Sequence, residues 1–232
     1  MNEQARTDRS RLLVLATGNP HKVEELAAIV RAAGLPLEVR SARSLGPAPA
    51  IVEDQGSFVA HALLKALGIA AWLGERGVAG ETLVLADDSG LCVDALDGAP
   101  GVDSAIFAGP HGDDAANNAR LVAELRARGR EESPAHYVCV LALTRVDGAP
   151  LPALAGAEPG PTPASRLFVG RWHGAVRTVP RGVGGFGYDP YFWPTGSELS
   201  SAELLAQDKN SRSHRGQATA LLLAALPDLL AP

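Results

Sequence analysis

The chain is poor in cysteine and in aromatic residues. Its strongest apolar run near the end, ALLLAALPDLL, contains Pro227 and is far shorter than the ~20 apolar residues that span a bilayer. The opening MNEQARTDRS has no apolar centre that would serve as a signal peptide. We therefore expect no membrane partner.

Two cysteines occur, Cys92 and Cys139, and each lies inside an apolar stretch. A cysteine in such a position is ordinarily a buried, reduced thiol, and disulfides are rare in the cytoplasm. The cysteine usage therefore predicts a cytoplasmic protein.

Basic clusters are also missing. The formal net charge is −5 and the pI is about 5.7, with the Lys and Arg residues scattered along the chain. Proteins that bind long nucleic acids carry a basic patch, so we expect no nucleic acid partner. An anionic substrate would need a metal ion and a few well-placed cations.

Strand-like and helix-like patterns alternate along the chain, which predicts an α/β fold. The chain opens with a short apolar strand over residues 12–16 and a helix that Gly34 ends. The other predicted segments are helices over 57–73 and 113–129, strands over 81–86 and 137–146, and one or two strands over 167–179.

Residues 1–10 are predicted to be a flexible N-terminus, and residues 11–232 a single domain. The Pro- and Gly-rich residues 147–165 are predicted to form a long connecting loop, because strand patterns resume directly after them. Ser200 and Glu203 have the spacing of a capping box ahead of the apolar C-terminal helix.

Two acidic residues, Asp87 and Asp88, stand side by side after the predicted strand 81–86. Carboxylates in this position suit a hard cation such as Mg²⁺, and one of them can act as a base at phosphorus. An acidic pair can instead cap a helix, as Asp113 and Asp114 are placed to do. The residues after Asp88, SGLCVDALDGAPG, do not start a helix, so the pattern favours a catalytic metal site.

The segment TGNPHK places Thr17, Gly18 and Asn19 between a strand and a helix, with Lys22 in the first helical turn. Backbone N–H groups at a helix N-terminus attract phosphate, and Lys22 adds a positive charge. The segment lacks the Gly-Lys-Ser/Thr ending of the common phosphate-binding loop. An ordinary Thr or Asn cap explains it equally well.

The segment GVGGFGYDPYFWP has the glycine spacing of a dinucleotide-binding turn, but no helix is predicted after it. We therefore reject that interpretation. The loop presents Phe186 and Tyr188, which suit stacking on a flat base, and Asp189 for a polar contact. A glycine turn before an aromatic edge strand remains the alternative.

The segment KNSRSHRGQA holds Lys209, His214 and Arg215 beside a helix start. A single cation there is usually a solvated cap. Three donors within seven residues of an acidic chain indicate a pocket for phosphate or a purine oxygen.

In this order, the segments resemble the inosine triphosphate pyrophosphatase family, whose members hydrolyse nonstandard purine nucleoside triphosphates. The resemblance is carried by TGNPHKVEE, EDQGSFVAHALLKA, ADDSGLCVDALDGAPGVDSA, GGFGYDPYF and SHRGQA, which spread over residues 12–226. It implies an elongated mixed β-sheet flanked by helices, two lobes with a central cleft, and a homodimer. It also implies Mg²⁺-dependent cleavage between the α- and β-phosphates, giving a nucleoside monophosphate and pyrophosphate.

The resemblance assigns roles to individual residues. Asp88 matches the catalytic acceptor and metal ligand, Asp87 its acidic neighbour, and Glu53 a second acid of the metal site. The remaining matched positions are Thr17, Gly18, Asn19, Pro20, His21, Lys22 and Ser89 for phosphate, Phe186, Gly187, Tyr188 and Asp189 for the base loop, and Lys209, His214 and Arg215 for the purine. Lys22 and Lys65 are expected to hold the departing pyrophosphate.

Two positions depart from the family pattern. Ile106 stands where the family usually has Arg, and His61 where it has Asn. Losing the Arg removes a fixed charge and several donors, so a salt bridge is absent or another residue supplies the contact. We expect activity to persist with altered rate or specificity.

Three alternatives remain. An aspartyl phosphatase would use Asp87 as nucleophile, but Ser89 occupies the place of its second carboxylate. A septum-inhibitor type of nucleotide pyrophosphatase would not be expected to carry SHRGQA. A purine nucleotide sensor would bind without turnover.

Overall fold

The computed structural model describes residues 11–17, 20–52, 55–109 and 112–230, with only the backbone described at Pro20 and His21. The predicted flexible N-terminus, residues 1–10, lies outside these ranges.

Strands and helices alternate, as the sequence predicts. The strands are β1 (Arg11–Leu15), β2 (Leu37–Ser41), β3 (Leu83–Val93), β4 (Glu132–Arg145), β5 (Glu158–Pro159), β6 (Ser165–Arg177) and β7 (Phe192–Pro194). The helices are α1 (Pro20–Ala32), α2 (Phe58–Glu75), α3 (Asp114–Ala127), α4 (Ala206–Arg212) and α5 (His214–Leu230).

The described strands form one mixed sheet in the order β2-β1-β3-β4-β6-β5, with β7 paired to β6. β1 is parallel to both β2 and β3, whereas β6 is antiparallel to β5 and β7. Parallel pairs need a crossover, and α1 supplies the one between β1 and β2. The α/β class and the mixed sheet are therefore confirmed.

The chain divides into two compact units. Unit 1 comprises the described residues of 1–87, 140–168 and 219–232. One of its buried clusters joins Val14 of β1 and Val84 of β3 to Ile69 and Leu73 of α2. Ile69 and Leu73 lie on one face of α2, and burying them fixes the helix against the strands.

Unit 2 comprises residues 88–139 and 169–218, as far as the structure describes them. Its core is more aromatic: Tyr137, Trp172 and Phe192 lie together with Leu121 and Leu125 of α3. The Tyr137 and Phe192 rings meet edge to face at 4.8 Å, a favoured aromatic geometry. Most of the few aromatic residues of the chain are thus concentrated in one core.

Two local predictions need correction. β3 does not end before the acidic pair but continues through Asp87 and Asp88 to Val93. The capping box of Ser200 and Glu203 exists, but it caps a short 3-10 helix, Ser201–Glu203, and not the C-terminal helix. The first turn of that helix, α5, is capped instead by Ser213, whose hydroxyl accepts from the Gly216 N–H at 3.1 Å.

The predicted loop 147–165 is largely irregular but contains the short strand β5, which pairs with β6. Arg166 of β6 fastens the loop, donating to the carbonyls of Pro152 at 2.7 Å and Pro163 at 3.1 Å. Several carbonyls around one guanidinium replace the backbone pairing that a regular element would supply.

Helix α2 is long and apolar enough, by length and composition alone, to cross a membrane. Core helices of soluble proteins meet the same criterion, so this is weak evidence for a membrane-spanning helix. The residues of α2 that are buried inside the fold are His61, Ala62, Leu63, Ala66, Ile69, Ala70 and Leu73.

Candidate active site

Strand β3 carries the acidic pair. Successive side chains of an extended strand point to opposite faces, so β3 aims Asp87 and Asp88 in opposite directions. Asp87 accepts a hydrogen bond from Lys22 Nζ of α1 at 2.7 Å, and both side chains are partly buried. The expected repulsion is thus relieved by strand geometry and by Lys22. Lys22, predicted to contact phosphate, also neutralises Asp87.

Asp88 is 9 % exposed, and Ser89 follows it on the strand. Ser89 Oγ is buried and has no hydrogen-bond partner among the described residues. Buried hydroxyls are normally hydrogen-bonded, so one without a partner indicates a place for a ligand. The alternation along β3 puts Ser89 on the same face as Asp87.

A cavity of about 340 Å³ lies in unit 1, at the end of β1. Its lining includes two residues predicted to bind substrate, Thr17 and Lys65. Sequence reasoning missed a third, Arg43, which follows β2 in a 3-10 helix. The Arg43 side chain is exposed and forms no ion pair within the described part of the chain. The segment SARSLG matches no motif, so the sequence gives no signal for Arg43.

Five more predicted positions cannot be placed by their side chains. Glu53, Gly18 and Asn19 lie outside the described residues. Pro20 and His21 form the first turn of α1, where only their backbone is described.

In unit 2, the glycine–aromatic loop, residues 182–189, presents Phe186 with 69 % of its surface exposed. Lys209 Nζ lies 4.8 Å from the centre of the Phe186 ring. Asp189 accepts from the Phe186 N–H at 2.8 Å, from Ser201 Oγ at 2.8 Å, and from Lys209 Nζ. The ring is exposed, yet its backbone is held by a buried carboxylate.

Gly185 is required beside this carboxylate. Its φ is +78°, and a Cβ there would lie 2.0 Å from Asp189 Oδ2. Any other residue would strain the backbone and displace Asp189. Gly185 therefore leaves room for the Asp189 carboxylate.

Tyr188 lies in the core and not beside the exposed Phe186 ring. Its hydroxyl donates to the Ser104 carbonyl at 2.8 Å, and burial raises the pKa of Tyr188 above its ordinary value. Tyr188 thereby ties the loop to the segment that follows β3. Its predicted contact with the base stays a prediction.

His214 and Arg215 begin α5 and are half-buried. The His214 ring stacks on buried Tyr137, with centroids 4.7 Å apart and planes 8° apart. A Cβ at Gly170 of β6 would lie 1.9 Å from the His214 carbonyl, so only glycine allows the helix to approach the strand here. These contacts fix the position of the backbone from which the His214 and Arg215 side chains extend.

The comparisons with known proteins agree with one another. The family model described as the Ham1 family matches residues 13–225. The chain belongs to the Ham1 family. This confirms the resemblance seen in the sequence.

Individual members of the Ham1 family match nearly the whole chain. It is 42% identical to a dITP/XTP pyrophosphatase of Acinetobacter baumannii, covering 92% of this chain and 94% of the relative. It is 41% identical to a dITP/XTP pyrophosphatase of Streptomyces coelicolor, covering 94% and 98%. The structure of a HAM1 protein from Coxiella burnetii matches with a TM-score of 0.79 and 33% identity, covering 94% of this chain and 99% of that one.

The first departure from the expected pattern is Ile106, and a cation contacts the residue that follows it, Phe107. Ile106 is 48% exposed. Arg120 of α3 places its guanidinium 4.4 Å from the centre of the Phe107 ring and donates to the Phe107 carbonyl. A cation therefore lies beside position 106 although it comes from another element. The second departure, His61, is buried on α2.

Proposed function

We propose that the protein is a Mg²⁺-dependent pyrophosphatase that hydrolyses nonstandard purine nucleoside triphosphates, such as dITP and XTP, to a nucleoside monophosphate and pyrophosphate. The observation that carries the proposal is the 42% identity to a dITP/XTP pyrophosphatase over 92% of this chain. The family match, residues 13–225, spans every segment of the candidate site that the sequence singled out.

The phosphate end of the substrate is assigned to unit 1. Thr17, Arg43 and Lys65 line its cavity, and Lys22 lies at the start of α1. Charge-assisted hydrogen bonds from lysine and arginine to phosphate oxygens are strong, and arginine can form two at once. In an acidic chain, these cations would make the cavity locally attractive to a polyanion.

The metal is assigned to Asp88, with Glu53 as a second ligand. No group of three or more His, Cys, Asp or Glu is placed to hold a metal within the described residues. Mg²⁺ is commonly held by one or two carboxylates together with substrate phosphates and water, and the buried Asp88 carboxylate fits that arrangement. When bound, the ion would neutralise phosphate charge and acidify a water molecule.

The protein's own residues supply the other steps. Asp88 accepts the proton of the attacking water, whose oxygen forms a bond to the α-phosphorus. The bond from that phosphorus to the oxygen bridging the α- and β-phosphates breaks, and pyrophosphate departs. Lys22 and Lys65 stabilise its charge. Asp87 is proposed to assist by holding Lys22 in place.

The base is assigned to unit 2. Phe186 provides an exposed ring for stacking, and donors from His214 or Arg215 pair with a 6-oxo group. The fixed ring of His214 supports this selectivity, because a donor that cannot turn away is left unpaired by the 6-amino group of adenine.

Two further properties are proposed from the family resemblance. The protein forms a homodimer, which light scattering coupled to gel filtration would test. It works in the cytoplasm, where a nucleotide pool needs cleansing, and its free cysteines, Cys92 and Cys139, are consistent with that compartment.

The function is tested by incubating the protein with dITP and Mg²⁺ and measuring pyrophosphate and orthophosphate separately. Pyrophosphate with dIMP is the expected result. Orthophosphate would indicate a phosphatase, and tight binding without product would indicate a sensor.

Asp88→Asn keeps the size of the side chain and removes its charge. We expect a loss of kcat of about a thousandfold or more, because both proton transfer and metal binding depend on this carboxylate. The matched control is Asp228→Asn, which changes an exposed carboxylate of α5. Full activity in Asp88→Asn would remove Asp88 from its assigned role.

A further inference from the structure

The peptide groups next to Phe186 are held by helix α3. The Gly187 N–H donates to Asp114 Oδ2 at 2.6 Å, and the Gly187 carbonyl accepts from Asn118 Nδ2 at 2.9 Å. Asp114 and Asn118 are four residues apart and therefore lie on the same side of the helix. Both backbone groups of Gly187, its N–H and its carbonyl, are thus hydrogen-bonded to side chains that lie one turn apart on α3.

We propose that Asp114 and Asn118, together called the α3 clamp, are positioning residues that hold the Phe186 ring ready to stack on the purine. The inference rests on the proposed function, since it takes the purine to be the ligand of Phe186. Neither residue touches the base. They act through the backbone of Gly187.

The exposure of Phe186 makes such a clamp necessary. A ring that is 69% exposed buries too little surface to fix its own backbone. Asp189 holds the N–H of Phe186 itself, and Asp114 holds the N–H of the next residue. Two successive peptide groups bound to carboxylates restrict both backbone dihedrals of Phe186. Ordering the ring before the ligand arrives lowers the entropic cost of binding.

The two members of the α3 clamp are not interchangeable. Asp114 has to accept, and Asn118 has to donate, because the Gly187 N–H and carbonyl have opposite polarity. Asn118 Oδ1 is buried without a hydrogen-bond partner among the residues described, and Nδ2 is the atom of this amide that binds the Gly187 carbonyl. Asn118→Asp would therefore replace a donor by a second acceptor facing a carbonyl oxygen. Asp114→Asn would keep an oxygen for the Gly187 N–H.

The neighbouring residues of α3 act elsewhere and provide controls. Asp113 caps the helix by accepting from the Ala116 N–H at 2.9 Å. Asn117 binds the other segment, donating to the Ala105 carbonyl at 3.1 Å and accepting from the Ala108 N–H at 2.7 Å. Asp113→Ala should therefore weaken the helix start without releasing Gly187.

The experiment compares Asn118→Asp, Asp114→Asn and Asp113→Ala with the wild type in two measurements. The first is amide hydrogen exchange at Gly187 by NMR. The second is kcat and KM for dITP, XTP and dATP at saturating Mg²⁺. Hydrogen exchange reports on the clamp even if the protein hydrolyses none of these nucleotides, so failure of the proposed function is seen separately.

For Asn118→Asp we expect faster exchange at Gly187 and a KM raised about five- to twentyfold for all three nucleotides. We expect kcat within about twofold of the wild type and an unchanged ratio of dITP to dATP specificity. Asp114→Asn should show a smaller change of the same kind, and Asp113→Ala no rise in KM. The inference is overturned by unchanged exchange at Gly187, by faster exchange with unchanged KM, by a loss confined to kcat, or by an equal effect in Asp113→Ala.

Discussion

The two compact units carry candidate binding residues of different chemistry. Unit 1 offers cations: Lys22 paired with Asp87, and Arg43 and Lys65 around a cavity. Unit 2 offers the exposed ring of Phe186. Asp189 and the α3 clamp hold the backbone around this ring, and Lys209 lies over one of its faces. Recognition by charge tolerates imperfect geometry but weakens in salt, whereas stacking requires an ordered ring and is nearly indifferent to salt. The salt dependence of KM should therefore distinguish variants of unit 1 from variants of unit 2.

Among the variants that compare the two units, Lys22→Ala in unit 1 is expected to have the largest effect. It removes a proposed phosphate contact and the cation that pairs with the partly buried Asp87 carboxylate. We expect kcat/KM to fall about hundredfold for dITP and for XTP alike, since a hydrogen bond to a charged group contributes about 1.5–3 kcal/mol. Steady-state kinetics provides the measurement. Lys22→Arg should recover part of the loss, and a fall seen with one nucleotide only would contradict a phosphate role.

Phe186→Ala tests unit 2. Removing the ring should raise KM about ten- to hundredfold, because stacking of a base on an aromatic ring contributes about 1–3 kcal/mol. The rise should be the same at low and high salt. Phe186→Tyr keeps a ring and should remain near wild type, as should Val183→Ala, which alters a fully exposed side chain of the same loop. A strongly salt-dependent effect would remove the distinction between the units.

Arg43→Ala should have a smaller effect than either. We expect KM to rise about three- to tenfold at low ionic strength and to approach the wild-type value in high salt, where exposed charges are screened. The matched control is Arg40→Ala, which removes an arginine that lies 3.9 Å from Glu38 and is absent from the cavity lining. If both variants respond alike, Arg43 acts only through general charge.

The smallest effect concerns pH and the surface of unit 2. The rings of His136 and His173 stack with their centroids 5.4 Å apart. Burial lowers the pKa of His136, and the charge of His173 lowers it further. Asp94 raises this pKa and Arg171 lowers it, both by smaller amounts. The unfolded histidine then binds a proton at higher pH than the folded one, so stability is complete above the unfolded pKa and falls as pH drops below it. His136→Gln should reduce the loss of Tm between pH 7.5 and 5.5 by about 1 °C. An identical pH dependence in both proteins would contradict this.

The sequence was sufficient for elements whose signal is local. The spacing that predicted the first two helices is borne out by α1 and α2, and Asp113 caps α3. The end of β3 was predicted wrongly because a pair of acids looks like a strand terminus. The burial of Leu91 and Val93 keeps the chain extended beyond them, and tertiary packing overrides that local signal.

Some residues of the candidate site have a local sequence signal and others do not. Lys22, Phe186 and His214 belong to recognisable segments, whereas Arg43, Asp114, Asn118 and Ser201 do not. Asn118 reaches Gly187 across 69 positions of the chain, and no short pattern encodes such a contact. Arg120 likewise places a cation beside Ile106 from another element, which the sequence left as an open alternative.

The continuity of β3 has a consequence for insertions and deletions. Because a strand alternates its side chains, a slip of one residue would exchange the directions of Asp87 and Asp88. Deleting one residue between Leu83 and Ala86 would then turn Asp88 toward Lys22, move Asp87 to the place of Ala86, and put Ser89 where the buried acid now lies. A frame-preserving deletion there would harm the enzyme more than most point substitutions, although it would leave both acids in the chain.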